Sequence, residues 1–362
     1  MKIIHCSDLH LDSKMKSNLN SKKAKERRDE ILITYQNMVK FAVENDVKII
    51  LIAGDMFDQK NISIKARNIV KDSIVLNPNI DFIYLKGNHD ENVFLADIET
   101  MPQNLKLFNS SKWTKYNYGK ITISGIEFGS IGEHEIYNSL ILNKNEFNIV
   151  TMHGQESKYE IKDKTEIINL QSLKNKNIDY LALGHIHQFK QEKLDLRGTY
   201  CYSGCLEGRG FDECGEKGFV LLDIDEQNLN YTTRFITFAS RKLYEINLDV
   251  SNSSTTTDVE KIIDNNVKEI EEKSLIKIVL NGKVDVNSER DIDYLEKKYN
   301  DKFYFAKIYD KTELLIDYMT YKNDASLKGE FIRLVLSQNL SKEEEKQIIT
   351  LGIKALSGEE VI

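Results

Sequence analysis

Five short polar patches, each placed directly after an apolar run, constrain this chain more than any other feature. They are Asp8-Leu9-His10, Gly54-Asp55, Gly87-Asn88-His89-Asp90, His153-Gly154 and Gly184-His185-Ile186-His187. The runs before them are Lys2–Cys6, Lys48–Ala53, Phe82–Leu85, Phe147–Met152 and Ile178–Leu183. Each run is short, rich in β-branched or aromatic residues and apolar at successive positions, the pattern of a strand buried on both faces. A polar patch at the carboxyl end of such a strand stands on the rim of a sheet, where open α/β sheets build their sites. Five rims can converge, and they would bring Asp8, His10, Asp55, Asn88, His153, His185 and His187 together. Carboxylate and amide oxygens suit magnesium or manganese, and imidazoles suit manganese, iron or zinc. The pattern therefore points to a pair of divalent metals. Asp8 and His10 are two apart, so in an extended segment they would face the same side; His185 and His187 repeat that spacing. The chain has seven histidines. Four of them fall in this set, and a fifth, His89, stands beside Asn88.

The order D-x-H, G-D, G-N-H-D, H-G, G-H-x-H resembles that of the calcineurin-like metallophosphoesterases. The fuller strings Ser7-Asp8-Leu9-His10-Leu11-Asp12, Ala53-Gly54-Asp55-Met56-Phe57-Asp58 and Leu183-Gly184-His185-Ile186-His187 resemble one branch, the DNA repair exonuclease SbcD and its double-strand-break relatives. The segment Tyr202 to Glu213 is similar to the Tyr-Pro-Gly-Ser region of the same branch, and the likeness runs from Met1 to about Leu222. Asp58 stands where archaeal and eukaryotic members carry His, as in the bacterial branch.

The resemblance implies a fold and a chemistry. The fold is α/β: a two-sheet β-sandwich flanked by helices, with a smaller α/β cap domain and a helical C-terminal tail. Asp8, His10 and His187 would hold one metal; Asn88, His153 and His185 would hold the other; Asp55 would bridge. Manganese is the expected ion. His89 follows a ligand directly and is assigned to stabilising the transition state or protonating the leaving oxygen, with Asp90 orienting its ring. The implied partners are DNA and an SbcC-like coiled-coil ATPase, or a second copy of the chain. Two other readings stay open: the same core acting on a small or non-DNA phosphoester, and a DNA-binding scaffold for an ATPase.

At 362 residues, one large and one small domain are expected. The nuclease domain is placed at residues 1–238, the α/β cap at 239–322 and the tail at 323–362. Parallel βαβ units are expected up to strand Asp81–Leu85, and short antiparallel-leaning strands from about Leu105 to Ile131. Strands Gly198–Ser203, Gly218–Ile224 and Tyr231–Phe238 are expected to close the second sheet. The αβαβ pattern after Ser251–Thr257 holds no histidine. In the tail, Leu327, Phe331, Ile332, Leu334 and Val335 make an apolar stripe, and Ser341 with Glu344 forms a capping box for a last helix.

No apolar run is long enough to span a bilayer. The chain start enters a strand at once, leaving no room for a signal peptide, and Cys6, Cys201, Cys205 and Cys214 agree with a reducing cytoplasm. The net charge of −7 is unfavourable for nucleic acid overall. Local basic surface decides such affinity, however. Lys14, Lys16, Lys22, Lys23, Lys25, Arg27 and Arg28 lie beside the proposed site, as a solvated face or as phosphate-backbone contacts.

Overall fold

Alternation along the strands sets the layers. In β1 (Lys2–Cys6), Ile3 packs to one side with Ile49, Leu51 and Ile83, while Ile4 and Cys6 pack to the other with Ile50 and Ile52. Both faces are apolar, so both must be covered. One is covered by α1 (Ser21–Glu44), through Ile31, Tyr35, Met38 and Ala42. The other meets a second sheet. The computed structural model describes residues 1–15, 19–58, 62–87, 90, 101–128, 133–157, 167–285, 288, 290–315 and 324–356. It divides into two compact units, Met1–Leu243 and Tyr244–Ile362.

In the first unit, β2 (Val47–Ala53), α2 (Ile64–Val75), β3 (Asp81–Leu85) and β4 (Leu105–Leu107) follow α1 and extend a parallel array from β1. Helices α1 and α2 start at Asn20 and Ser63, whose side chains accept from the Lys23 and Ala66 amides. The second sheet comprises β5 (Thr114–Tyr118), β6 (Ile121–Gly125), β7 (Phe147–His153), β10 (Tyr180–Gly184), β11 (Lys190–Lys193) and β12 (Thr199–Tyr202), in the order β11-β12-β10-β7-β6-β5. Helix α3 (Glu133–Ser139), the paired short strands β8 (Gln155–Ser157) and β9 (Ile167–Asn169), and helix α4 (Leu170–Leu173) lie between its members in sequence. Residues of α3 and α4, among them Ile136, Leu170 and Leu173, pack with Val150, Leu181 and Leu183 on the outer face of this sheet. Ile121, Ile123, Phe147, Ile149, Tyr180 and Ala182 meet the first sheet on its inner face.

Two expectations about the sheets are corrected. Strands β13 (Gly218–Ile224) and β14 (Tyr231–Thr237) do not close the second sheet. They join the first, with β13 antiparallel to β1 and β14 antiparallel to β13. The second sheet is not antiparallel-leaning: β6, β7, β10 and β12 are parallel, and only the edge pairs β5–β6 and β11–β12 are antiparallel. Hairpin-like spacing at the edges conceals a parallel centre, because sheet partners are set by burial far along the chain rather than by adjacent turns.

The second unit has its own core. Strands β15 (Leu243–Asp249), β16 (Leu275–Asn281) and β18 (Phe305–Asp310) form one sheet, covered by α5 (Thr256–Val267) and α6 (Ile292–Lys302) through Val259, Ile263, Leu295 and Tyr299. The short strands β17 (Lys283–Asp285) and β19 (Glu313–Leu315) pair in parallel. Helices α7 (Leu327–Leu336) and α8 (Lys342–Leu356) pack on each other through Ile332, Val335, Ile349 and Ile353. The Ser341–Glu344 capping box is present. Among the described residues, no helix is long and apolar enough to cross a membrane.

Candidate metal centre

The carboxyl ends of β1, β2, β7 and β10 meet on one edge of the sandwich. The loops after β1 and β2 run side by side, with Asp8 N donating to Gly54 O (3.0 Å), His10 N to Asp55 O (3.0 Å) and Leu11 N to Met56 O (2.8 Å). Asp8, His10, Asp55 and His185 all have left-handed backbones, at φ 51, 42, 52 and 101. Such conformations cost about 1–3 kcal/mol each for residues with a side chain and gather at functional sites. Asp8 and His10 are therefore on the same side by turning, not by extension as expected from their spacing; Leu9 between them is buried in the helix-side core.

Two sets of donor atoms result, each within 4.8 Å: Asp8, His10 and His187, and Asp8, Asp55 and His153. His10 Nε2 lies 3.1 Å from His187 Nε2, and His187 Nε2 lies 3.7 Å from Asp8 Oδ1. Asp55 Oδ2 lies 3.4 Å from His153 Nε2 and 3.9 Å from His10 Nε2, so it touches members of both sets. Both carboxylates are buried. Among the described residues His185 falls in neither set; its ring stands edge-on to that of His153, with centroids 5.4 Å apart, and its amide binds the Asp8 carboxylate. Asn88 and His89 lie outside the described residues.

Each clustered imidazole has an oxygen behind it. His187 Nδ1 meets Glu213 Oε1 at 2.7 Å, His153 Nδ1 meets Ala53 O at 2.9 Å, and His10 Nδ1 lies 3.2 Å from Asp58 Oδ1. An acceptor behind Nδ1 favours the proton there and turns Nε2 toward the cluster as a donor atom for a cation, the arrangement that metal-bound histidines use. Two Nε2 lone pairs 3.1 Å apart repel unless a cation or a proton lies between them. The Asp55 and Asp8 carboxylates act in the same direction on His153: burial opposes its protonation, yet the two charges push it up to about 9. The donor set thus fits cations well. Glu213 is buried, but its bonds from His187 and Arg209 and the guanidinium charge hold its carboxyl well below the usual range.

Asp90 serves the backbone. Its carboxylate accepts from the amides of Met56 (3.2 Å), Phe57 (3.0 Å) and Gly87 (3.0 Å), and so holds the loop that carries Asp55. Glycine is required where the loops approach: a Cβ on Gly54 would lie 2.0 Å from His153 Nδ1, and one on Gly87 2.2 Å from Asp55 Oδ1.

Arg27 corrects the reading of the basic stretch. It is 1% exposed and bonds Glu30, Glu207 and Gly208 O, so it anchors α1 to the segment before Arg209 rather than facing a phosphate. Glu213 and Arg209 were not singled out from sequence. Their only signal in the sequence is an Arg-Glu spacing of four inside the Tyr202–Glu213 segment.

A family model described as Calcineurin-like phosphoesterase matches residues 1–189, just over half of the chain. The chain belongs to the calcineurin-like metallophosphoesterase family, whose members use a dinuclear divalent metal site, and the paired sheets flanked by helices are its fold. Within the family its likeness extends to the DNA repair branch. The chain is 26% identical to the DNA double-strand break repair protein Mre11 of Saccharolobus solfataricus, over 100% of this chain and 97% of that one. It is 25% identical to the Mre11 of Sulfolobus acidocaldarius, over 80% and 77%. It is also 28% identical to the uncharacterized metallophosphoesterase YhaO of Bacillus subtilis, over 63% of this chain and 58% of that protein's length.

Proposed function

We propose that this chain hydrolyses phosphodiester bonds of DNA, as a nuclease subunit of a repair complex, using two manganese ions. The carrying observation is the convergence of three rear-anchored imidazoles on two buried carboxylates. Asp8, His10 and His187 would hold one ion, Asn88, His153 and His185 the other, and Asp55 would serve both. When bound, such ions acidify water toward neutral pH and neutralise phosphoryl oxygens. The protein's own part is orientation: Asp58, Ala53 O and Glu213 fix the imidazoles, and Asp90 fixes the Asp55 loop. His89 acts on the leaving oxygen as proton donor.

DNA as substrate is supported by the likeness to two DNA double-strand break repair proteins, one of them similar over 97% of its length. The second unit, with its own core, is assigned to DNA handling. The α7–α8 pair keeps Leu327, Leu334, Ile348 and Leu351 exposed, which supports docking of an SbcC-like coiled-coil ATPase or of a second copy. A cytoplasmic setting accords with this role. A small or non-DNA phosphoester is the second reading, favoured by the net charge of −7 and by the likeness to YhaO.

The test is hydrolysis of linear duplex DNA and of bis-p-nitrophenyl phosphate after chelation and return of single metals. Loss with chelator, best recovery with manganese and turnover of DNA are expected. Turnover of the small ester alone would favour the second reading. Equal recovery with calcium would overturn the metal assignment.

A further inference from the structure

One guanidinium lies behind two of the imidazoles. Arg209 Nη1 donates to Asp58 Oδ1 at 3.0 Å, and Arg209 Nη2 donates to Glu213 Oε1 at 2.7 Å, with Nε 3.1 Å from the same oxygen. Those two oxygens are the atoms that meet His10 Nδ1 and His187 Nδ1. Arg209 Nη2 also lies 3.2 Å from His187 Nδ1, beside the bond to Glu213. The Arg209 side chain is 19% exposed, and its own amide donates to Glu213 Oε2. Asp58 is held on its other oxygen by Ser13 Oγ, at 3.0 Å. On the front side, the Nε2 atoms of the two rings meet at 3.1 Å. The five groups close a loop: His10, Asp58, Arg209, Glu213, His187 and back to His10.

We infer that Arg209 is a positioning residue that locks His10 and His187 into one shared orientation through Asp58 and Glu213. The inference rests on the metal reading above and goes beyond it. A guanidinium is planar and presents donors in a fork, so it can span two carboxylates at a fixed separation; an ammonium is a point charge without that rigid fork. Asp58 and Glu213 would repel each other without it. Each would then rotate away from its ring, and the tautomers of both rings would mix. Arg209 itself is placed by Arg27, which bonds the neighbouring Gly208 carbonyl at 2.9 Å. The lock therefore ties the first loop, the loop after β2 and the segment before β13 into one unit.

The experiment uses the full chain with Arg209→Met, Arg209→Lys and, as a control, Arg197→Met. Arg197 makes a comparable forked pairing, with Asp179 just before β10, outside the clusters. Manganese affinity is measured by calorimetry, and ring nitrogen shifts of His10 and His187 are followed in metal-free protein. Outer partners of metal ligands are worth about 10–100-fold in affinity. Arg209→Met is expected to weaken one manganese site by that factor and to move both rings from Nδ1–H to a mixture. Arg209→Lys is expected to spare one ring and disturb the other, and it carries the test if the Met variant does not fold. Arg197→Met is expected to leave both readouts unchanged. Unaltered ring shifts and affinity in the Arg209 variants would overturn the inference. If the wild type takes up no manganese, the metal reading fails, while the ring shifts still decide the role of Arg209.

Discussion

Replacing Gly184 by Ala tests the geometry of the centre with a single methyl group. A Cβ at this position would lie 1.9 Å from Ala53 O, 2.8 Å from His153 Nδ1 and 2.9 Å from the Ser7 Cβ. The nearest of these is backbone at the carboxyl end of β2, between two parallel neighbours, and cannot rotate away as a side chain would. Restoring ordinary contact requires the carbonyl to retreat by about 1.5 Å, which is overpacking of the kind that costs roughly 1–3 kcal/mol. For a unit of this size, that cost lowers Tm by roughly 2–12 °C. The same carbonyl holds His153 Nδ1 at 2.9 Å, and Asp55 follows it two residues on. A misplacement of about 1 Å at a reacting centre costs on the order of 10²-fold in rate. Gly119→Ala is the control: its φ is +61, and nothing lies within 4 Å of the added carbon. That variant should lose about 1–2 kcal/mol from strain, with hydrolysis intact. Thermal unfolding and manganese-supported hydrolysis of bis-p-nitrophenyl phosphate are measured on both. The reasoning is refuted if Gly184→Ala keeps hydrolysis within about threefold of wild type, whatever its Tm.

Arg27→Met should cost about 3–5 kcal/mol in urea denaturation, because it leaves the buried Glu207 carboxylate without its guanidinium; a loss below about 1 kcal/mol, the value of a surface pair, would show that Thr34 and Ser240 suffice to hold Glu207. His5 supplies a pH dependence: full burial lowers its pKa from 6.5 to about 3, with Nδ1 bonded to Tyr180 Oη at 2.9 Å. Above the ordinary value the ring is neutral in both states and contributes nothing. As pH falls from 6.5 toward 3 only the unfolded chain takes up the proton, so stability declines by about 1.4 kcal/mol per unit. His5→Gln should flatten that decline in denaturation midpoints, and an unchanged slope would assign it to other groups.

Much of the centre was legible because its chemistry sits in short strings at strand ends. Apolar runs buried at successive positions predicted β1, β2, β3, β7 and β10, and the residues just after them supplied Asp8, His10, Asp55, His153 and His187. Helix α7 and the cap of α8 were legible for a similar reason, since stripes and capping boxes are local. What stayed hidden depends on distant partners. Strands β13 and β14 carry nothing that names their sheet; β13 pairs with β1 because that edge of the first strand needs a neighbour. Arg27 lies in a run of lysines and looks solvated, yet its partner Glu207 is 180 residues away. Glu213 looked like an ordinary acidic residue, and Asp58 stood out only by its place in a motif string, until the fold placed them behind His187 and His10. Left-handed loop residues were missed too, because Asp and His at such angles are held by the parallel loop next to them, not by their own preference.

The position of β1 between β2 and β13 has a consequence for protein synthesis. Asp8 and His10 leave the ribosome before the other donors, but their strand lacks one neighbour until Ile224 has been made. The remaining donors emerge as late as His187, and the braces behind them as late as Glu213. At translation rates of about 5–20 residues per second, the earliest and latest of these groups are separated by roughly 10–40 s. A nascent chain therefore carries fragments of a hydrolytic centre that stay unassembled until the whole sandwich has been released to fold.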